Sequence, residues 1–420
     1  MMKKRIKKVI LLALAVVMVS WILAPLLRPE YSEVNYNSAD SQNKTEKTIK
    51  FDSDGKLKIL HITDTHLNIK FRHNFEPTIW MIENACDAEN PDIVMLTGDI
   101  VVNYDNADDT KKMINALMNI FDSRNIPVAV TFGNHDSEQG EMSREELMAY
   151  YNTFSCSVSV DDGESLSGCG TYNIPVLSSD GSTVKFNLWV FDSGDYDEEG
   201  RYSCVKPDQI EWYKQISDNL KSDNNGEAVN SLVFQHIIVG EIYDALKKSD
   251  SWKSYSYEHL YNEDEYYMFD PDRVNYGTIR EYPCPGYNNY GQFDAMVNQG
   301  DVLAMFTGHD HTNAFGVEYK GIDIVNSLST RYISLFHSTQ CGYRVIEVDE
   351  NDTSAYKTEV VRIFDAYGFD TFTDEIKNGD MFTSSVALEF AVKSKFQKFA
   401  TVTYGKFIET ITGRQVTYPD

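Results

Sequence analysis

Lys56 to His66 reads KLKILHITDTH. Lys56 to Thr63 has the length and apolar content of a buried strand, and it runs straight into Asp64-Thr65-His66, two metal-binding side-chain types one residue apart. The same event recurs along the chain. Ile93 to Thr97 leads into Gly98-Asp99, Val128 to Thr131 into Gly133-Asn134-His135-Asp136, Ser231 to Gln235 into His236, and Val302 to Thr307 into Gly308-His309-Asp310-His311. An Asp-x-His pair directs two side chains from one turn toward a single ion. Gly98 lets the backbone approach closely so that Asp99 points inward, and a carboxylate with two oxygens is the natural shared ligand of two cations. Asp, Asn and His together suit borderline-hard divalent metals held side by side.

Between these runs lie helical patterns at about Phe75 to Glu89, Ala107 to Arg124, Arg144 to Tyr151 and Pro207 to Leu220, with a further strand at Lys185 to Asp192. Apolar runs alternating with helices predict βαβ units and a mainly parallel sheet. Short strands and turns after His311, through about Glu347, predict a second sheet packed on the first. The expectation is an α/β protein, a four-layer αββα sandwich of two mixed sheets with flanking helices. In such sheets ligands gather at the carboxyl ends of strands, where all five motifs stand. Two regions fit the pattern poorly: residues 241–290, dense in Tyr, Asp and Glu and expected to overhang the site, and the tail 365–420, with a helical pattern at Val386 to Phe396, expected to pack on the outside.

The chain has 420 residues, enough for one elaborated domain over 51–364. Before it, Lys3, Lys4, Arg5, Lys7 and Lys8 precede the apolar run Val9 to Leu27. A basic start and an apolar run of roughly 17 to 25 residues predict that 1–30 is an export signal or membrane anchor, with everything after Arg28 outside the cytoplasm and 31–50 a polar linker. The net charge is -26 at pH 7, which repels nucleic-acid backbones and anionic lipid. No nucleic-acid partner is expected, and membrane contact only through the first segment. Six cysteines lie beyond that segment. Cys156 and Cys169 bracket a polar loop and are the best candidates for a bridge, with buried free thiols the alternative.

As an ordered set, D-x-H, G-D, G-N-H-D, a separate His and G-H-D-H resemble the calcineurin-like metallophosphoesterase superfamily over about Lys56 to Val348. The resemblance implies that Asp64, His66 and His311 bind one metal, that Asn134, His236 and His309 bind a second, and that Asp99 bridges them. It also implies that His135 faces the scissile phosphate, where it stabilises charge or protonates the leaving oxygen, with Asp136 orienting its neighbours and Asp310 a weaker candidate for that duty. The stretch from Gly286 to Asn326 is similar to the branch near the purple acid phosphatases, which hold ferric iron with a Tyr three residues past the bridging Asp. Here that position is Val102, and His66 replaces a Gly. Two divalent ions, Mn, Fe or Zn, are therefore expected, without a purple chromophore.

The implied reaction is hydrolysis of a phosphate ester by metal-activated hydroxide, on a phosphorylated small molecule or a phosphoprotein. A phosphomonoesterase is expected because the insertion narrows the site. The alternatives are a phosphodiesterase or nucleotide pyrophosphatase, and a metal-bearing binding module without catalysis. Outside the set, His61 reads as a core histidine within its strand, while His259, Asn103, Tyr104 and the tyrosines of the insertion are candidate pocket residues. Arg280 and Arg331 are candidate phosphate clamps.

Overall fold

The computed structural model describes residues 47–102, 106–138, 140–160, 166–253, 256–332 and 341–362. The leader 1–30, most of the linker, the tail 365–420, Asn103, Tyr104 and Tyr255 lie outside them. Among the described residues no helix is long and apolar enough to cross a membrane.

In chain order the elements are β1 (Ile49–Lys50), β2 (Lys56–Ile62), α1 (Arg72–Glu89), β3 (Ile93–Thr97), α2 (Ala107–Ser123), β4 (Val128–Thr131), α3 (Arg144–Tyr151), β5 (Tyr172–Leu177) and β6 (Val184–Val190). There follow α4 (Pro207–Asp223), β7 (Ser231–Phe234), α5 (Ile242–Ala245), β8 (Lys247–Ser249), β9 (Tyr257–Glu258), β10 (Tyr266–Met268) and β11 (Val274–Thr278). The last are α6 (Gln292–Gln299), β12 (Val302–Thr307), β13 (Ala314–Tyr319), β14 (Ile322–Asn326), β15 (Gly342–Asp349) and β16 (Asp352–Arg362). Helix starts follow ordinary capping chemistry: the Asn106 side chain accepts from Asp109 N at α2, and Ser143 with Glu146 forms a reciprocal capping box at α3.

Two large sheets result. One runs β16-β15-β2-β3-β4 and the other β1-β5-β6-β7-β12-β14-β13-β11. Strands β2, β3 and β4 are mutually parallel, as are β6, β7, β12 and β14, while β15 and β13 join antiparallel. Strand parity assigns each residue to a layer. In the smaller sheet Leu60, Ile62, Val94, Leu96, Val128 and Val130 pack on α1, α2 and α3 through residues such as Phe75, Leu117 and Leu147. Their alternates Leu57, Ile59, Ile93, Met95 and Ala129 meet Phe186, Leu188, Leu232, Phe234, Ala304 and Phe306 of the larger sheet. The opposite face of that sheet, with Trp189, Val233, Met305 and Ile324, is covered by Ile210, Ile242, Phe293 and Met296 of α4, α5 and α6. The order helix, sheet, sheet, helix is the four-layer αββα sandwich expected from the sequence.

Three details differ from the sequence reading. Ile49 and Lys50, placed in the linker, pair in parallel with Val176 and Leu177 as an edge strand. The insertion is not wholly separate: β8, β10 and β9 form a small sheet of their own, but β11 adds to the edge of the larger sheet beside β13. Finally, Cys156 and Cys169 are both buried as thiols and the bridge between them does not form. Both side chains sit in the apolar layer under α1 to α3, where a thiol packs as a small hydrophobe.

Candidate metal centre

Each motif leaves the carboxyl end of a strand and turns at once. The turns are so tight that their backbones interlock. A Cβ on Gly98 would stand 2.3 Å from Gly133 N, and one on Gly133 would stand 2.2 Å from Asp99 Oδ1. Asp64, His66, Asp99 and His309 adopt left-handed backbone angles, with φ of 53°, 41°, 52° and 72°. Four non-glycine residues in this region, all in one site, mark backbone strain held by the surroundings.

Those surroundings are visible as hydrogen bonds. Asp64 N donates to Gly98 O at 3.0 Å and His66 N to Asp99 O at 2.8 Å. Asp136 accepts four backbone amides: Asp99 N at 2.7 Å, Gly133 N at 2.8 Å, Ile100 N at 2.9 Å and Val101 N at 3.1 Å. Its carboxylate is buried and spent on the loops, so Asp136 shapes the G-D turn rather than facing a substrate. Burial, then the neighbouring Asp99, pushes it up to about 6, against the pull of the amides.

In four of the five donors one side-chain polar atom is held by the protein and the other is left over. Asp64 Oδ2 accepts from Thr63 Oγ1 at 2.8 Å and His309 N at 3.0 Å; Asp99 Oδ1 accepts from His135 N at 2.8 Å. Asn134 Nδ2 donates to the Tyr196 hydroxyl at 2.8 Å, and His236 Nδ1 donates to Thr97 O at 2.8 Å. The remaining atoms, Asp64 Oδ1, Asp99 Oδ2, Asn134 Oδ1 and His236 Nε2, are buried without a hydrogen-bond partner, as is His309 Nε2.

These atoms converge. Candidate donor atoms of Asp64, His66, Asp99 and His311 lie within 4.8 Å of one another, and those of Asp99, His236 and His309 form a second such group. Asp99 belongs to both groups. Within them His311 Nε2 is 3.4 Å from Asp64 Oδ1, His66 Nε2 is 3.6 Å from Asp99 Oδ2, and His236 Nε2 is 3.3 Å from Asp99 Oδ2. Burial alone would raise the Asp64 carboxyl, but His236 and then His311 outweigh it and hold it at about 2. Burial keeps His66 and His309 neutral, each near 3, which is the form that coordinates a metal. Leaving five buried polar atoms unpaired would cost about 1 to 3 kcal/mol each, whereas divalent cations would satisfy all of them. The donor set therefore fits divalent metal ions.

His135 stands at the rim, its ring centroid 5.5 Å from that of His66, and its Nδ1 donates to Glu138 Oε2 at 2.6 Å. On the other side the Tyr202 ring meets His309 edge-on at 4.3 Å and stacks on Tyr196 at 5.7 Å. Glu138, Tyr196 and Tyr202 belong to no motif, and a single sequence carries no signal for them beyond the nearness of Glu138 to His135.

The other candidates separate. His61 lies between the Thr97 and Ser327 hydroxyls at 2.7 and 3.0 Å and is a core residue. His259 stacks on Tyr243, centroids 3.9 Å apart, within the insertion. Asp310 accepts from Cys284 N at 3.2 Å, and burial, then Glu281, pushes it up to about 8; it braces the insertion. Arg331 is among the charges acting on His66, after burial, the carboxylates and His311. For Arg280 the named influences are burial, Arg362 and Tyr257, none of them in the centre.

The family model for calcineurin-like phosphoesterases matches residues 57–313. A protein of Arabidopsis thaliana named "Probable inactive purple acid phosphatase 29" is 27% identical over 310 residues, 66% of this chain and 72% of that protein. The Saccharomyces cerevisiae phosphatase DCR2 is 24% identical over 285 residues, 62% of this chain and 45% of that protein. Among solved structures, a dimetal phosphatase from Danio rerio is 15% identical with a TM-score of 0.45, covering 73% of this chain and 96% of that one.

Proposed function

The chain belongs to the calcineurin-like phosphoesterase family, and we propose that it hydrolyses phosphate monoesters with two divalent ions held by Asp64, His66, Asp99, Asn134, His236, His309 and His311. The observation that carries this reading is the convergence of buried, unpartnered donor atoms on two groups that share Asp99. Bound ions would supply Lewis acidity toward phosphate oxygens and lower the pKa of a coordinated water. The protein's own part is positional. Asp136 fixes the turns, Thr97 O fixes the tautomer of His236, Tyr196 fixes the Asn134 amide, and His135, as the imidazolium with Nδ1–H on Glu138, presents its Nε2–H to the leaving oxygen as proton donor.

Monoesters are favoured because the insertion crowds the side of His309. Tyr287 N donates to Tyr202 O at 2.9 Å, and Tyr261 packs edge-on against Tyr287, so a wall of tyrosines stands beside that ligand. A second reading, a metal-bearing module without catalysis, is favoured by the word inactive in the relatives' names. Against it, all seven proposed ligands and His135 are present in this chain.

Metal-loaded protein should turn over p-nitrophenyl phosphate faster than bis(p-nitrophenyl) phosphate, and on an alkyl phosphate, whose leaving group needs a proton, His135→Ala should lose about 10²-fold or more in kcat with its metals retained. A preference for the diester would establish the phosphodiesterase alternative. No turnover of either ester with two ions bound would establish the binding module.

A further inference from the structure

Two short polar contacts hold adjacent side chains of the G-N-H-D motif, one from within the same loop and one from a distant tyrosine. Asn134 Nδ2 donates to the Tyr196 hydroxyl at 2.8 Å. Glu138 accepts from His135 Nδ1 at 2.6 Å. The backbone of His135 is held independently, by its amide on Asp99 Oδ1 at 2.8 Å. Both side chains of the His135 and Glu138 pair are about one-third exposed, 31% and 27%, so the imidazole borders the open side of the centre rather than lying sealed in the core.

A carboxylate on Nδ1 has two consequences for an imidazole. It holds one proton on Nδ1, so that the second proton of the imidazolium sits on Nε2 and is the one to leave, and it fixes the ring plane. A histidine that must hand one proton to a departing alcohol needs both, because a ring free to turn spends much of its time with the wrong nitrogen forward. The Tyr196 hydroxyl accepts from the Asn134 amide, so two adjacent residues of the motif are each fixed by one side chain.

Building on the phosphoesterase reading, we propose that Glu138 is the positioning carboxylate for His135, while Tyr196 holds the neighbouring Asn134. An ordinary surface pair three residues apart would contribute little and would be indifferent to the substrate. A positioning role makes a different demand: its loss must be felt in proportion to how much the leaving group needs a proton.

The test uses the full chain with its metals, comparing wild type, Glu138→Ala, Glu138→Gln and Tyr196→Phe on p-nitrophenyl, phenyl and alkyl phosphates, after metal content is shown to be unchanged. Glu138→Ala should lower kcat about 100-fold on the alkyl ester and less than about 3-fold on the p-nitrophenyl ester, with KM little altered. Glu138→Gln, which keeps an acceptor, should recover part of the loss, and Tyr196→Phe, which leaves the His135–Glu138 bond in place, should show no such dependence on the leaving group. Nitrogen NMR of histidine-labelled, zinc-loaded protein should show His135 protonated on Nδ1 in wild type and shifted toward the other tautomer in Glu138→Ala. A uniform loss on all three esters, or an unchanged tautomer, overturns the proposal. If wild type cleaves no ester but the tautomer moves as stated, the phosphoesterase reading falls and the positioning role stands.

Discussion

Asp64 and Asp99 sit at φ of 53° and 52°, angles that cost a β-carbon residue about 1 to 3 kcal/mol each. The turns persist because Asp136 collects four amides and because Gly133 leaves room for the Asp99 carboxylate. Gly133→Ala should therefore drive Asp99 out of place. Metal retained after dialysis should fall about 10- to 100-fold in affinity, measured by elemental analysis; undiminished metal content would show that the carboxylate can move aside. At this scale the sequence is readable wherever a residue's task follows from its own chemistry and its place at a strand end, as with Asp64 or His309. It is silent on Tyr196, whose hydroxyl meets Asn134 only because a hairpin 62 residues later returns to the same rim. Asp136 is an intermediate case: a carboxylate beside His135 suggests catalysis, but four backbone donors claim it.

Strand β2 illustrates the element scale. Its residues alternate between two buried faces, so apolar content identifies the strand while leaving the role of His61 open to its neighbours. His61 is buried at 1% exposure, and burial, then the nearby Arg344 cation, holds it down to about 3. Arg344 is itself fully buried on the inter-sheet face of β15, donating to Ser327 Oγ at 2.8 Å and Asn326 O at 3.1 Å. Because the folded-state pKa of His61 lies below the unfolded value of 6.5, the unfolded chain takes up a proton first as pH falls. Stability from this group is present above about 6.5 and drains away between there and about 3. Wild type should lose about 1.5 kcal/mol more than His61→Gln between about pH 6.5 and about pH 5 in denaturant unfolding; equal slopes would refute a neutral, buried His61. The central strands and long helices follow from periodicity to within a few residues. Edge strands β1 and β11 do not, since an edge buries little and β11 alternates only partly buried with exposed side chains.

Across the whole molecule, the proposed ligands divide between the layers. Asp64, Asp99 and Asn134 follow β2, β3 and β4 of the smaller sheet, while His236 and His309 follow β7 and β12 of the larger. That arrangement follows from strand order, which no local pattern contains, although the recurrence of ligand types after apolar runs announces a shared edge. Cations that bind only the folded chain stabilise it by about 2.7 kcal/mol at a concentration one hundred times Kd. Chelation should therefore lower Tm by several degrees, with Mn or Zn restoring it; a Tm indifferent to both would argue against bound metal.

Because ligands come from both sheets, the ions would rivet two slabs that otherwise meet through apolar side chains and a set of hydrogen bonds such as those of His61 and Arg344. A chain made where such ions are scarce would complete each slab and leave the seam weak, open to proteases at the rim that holds Asp99 and His236. Metal supply would then govern how much protein survives as well as how fast the survivors work.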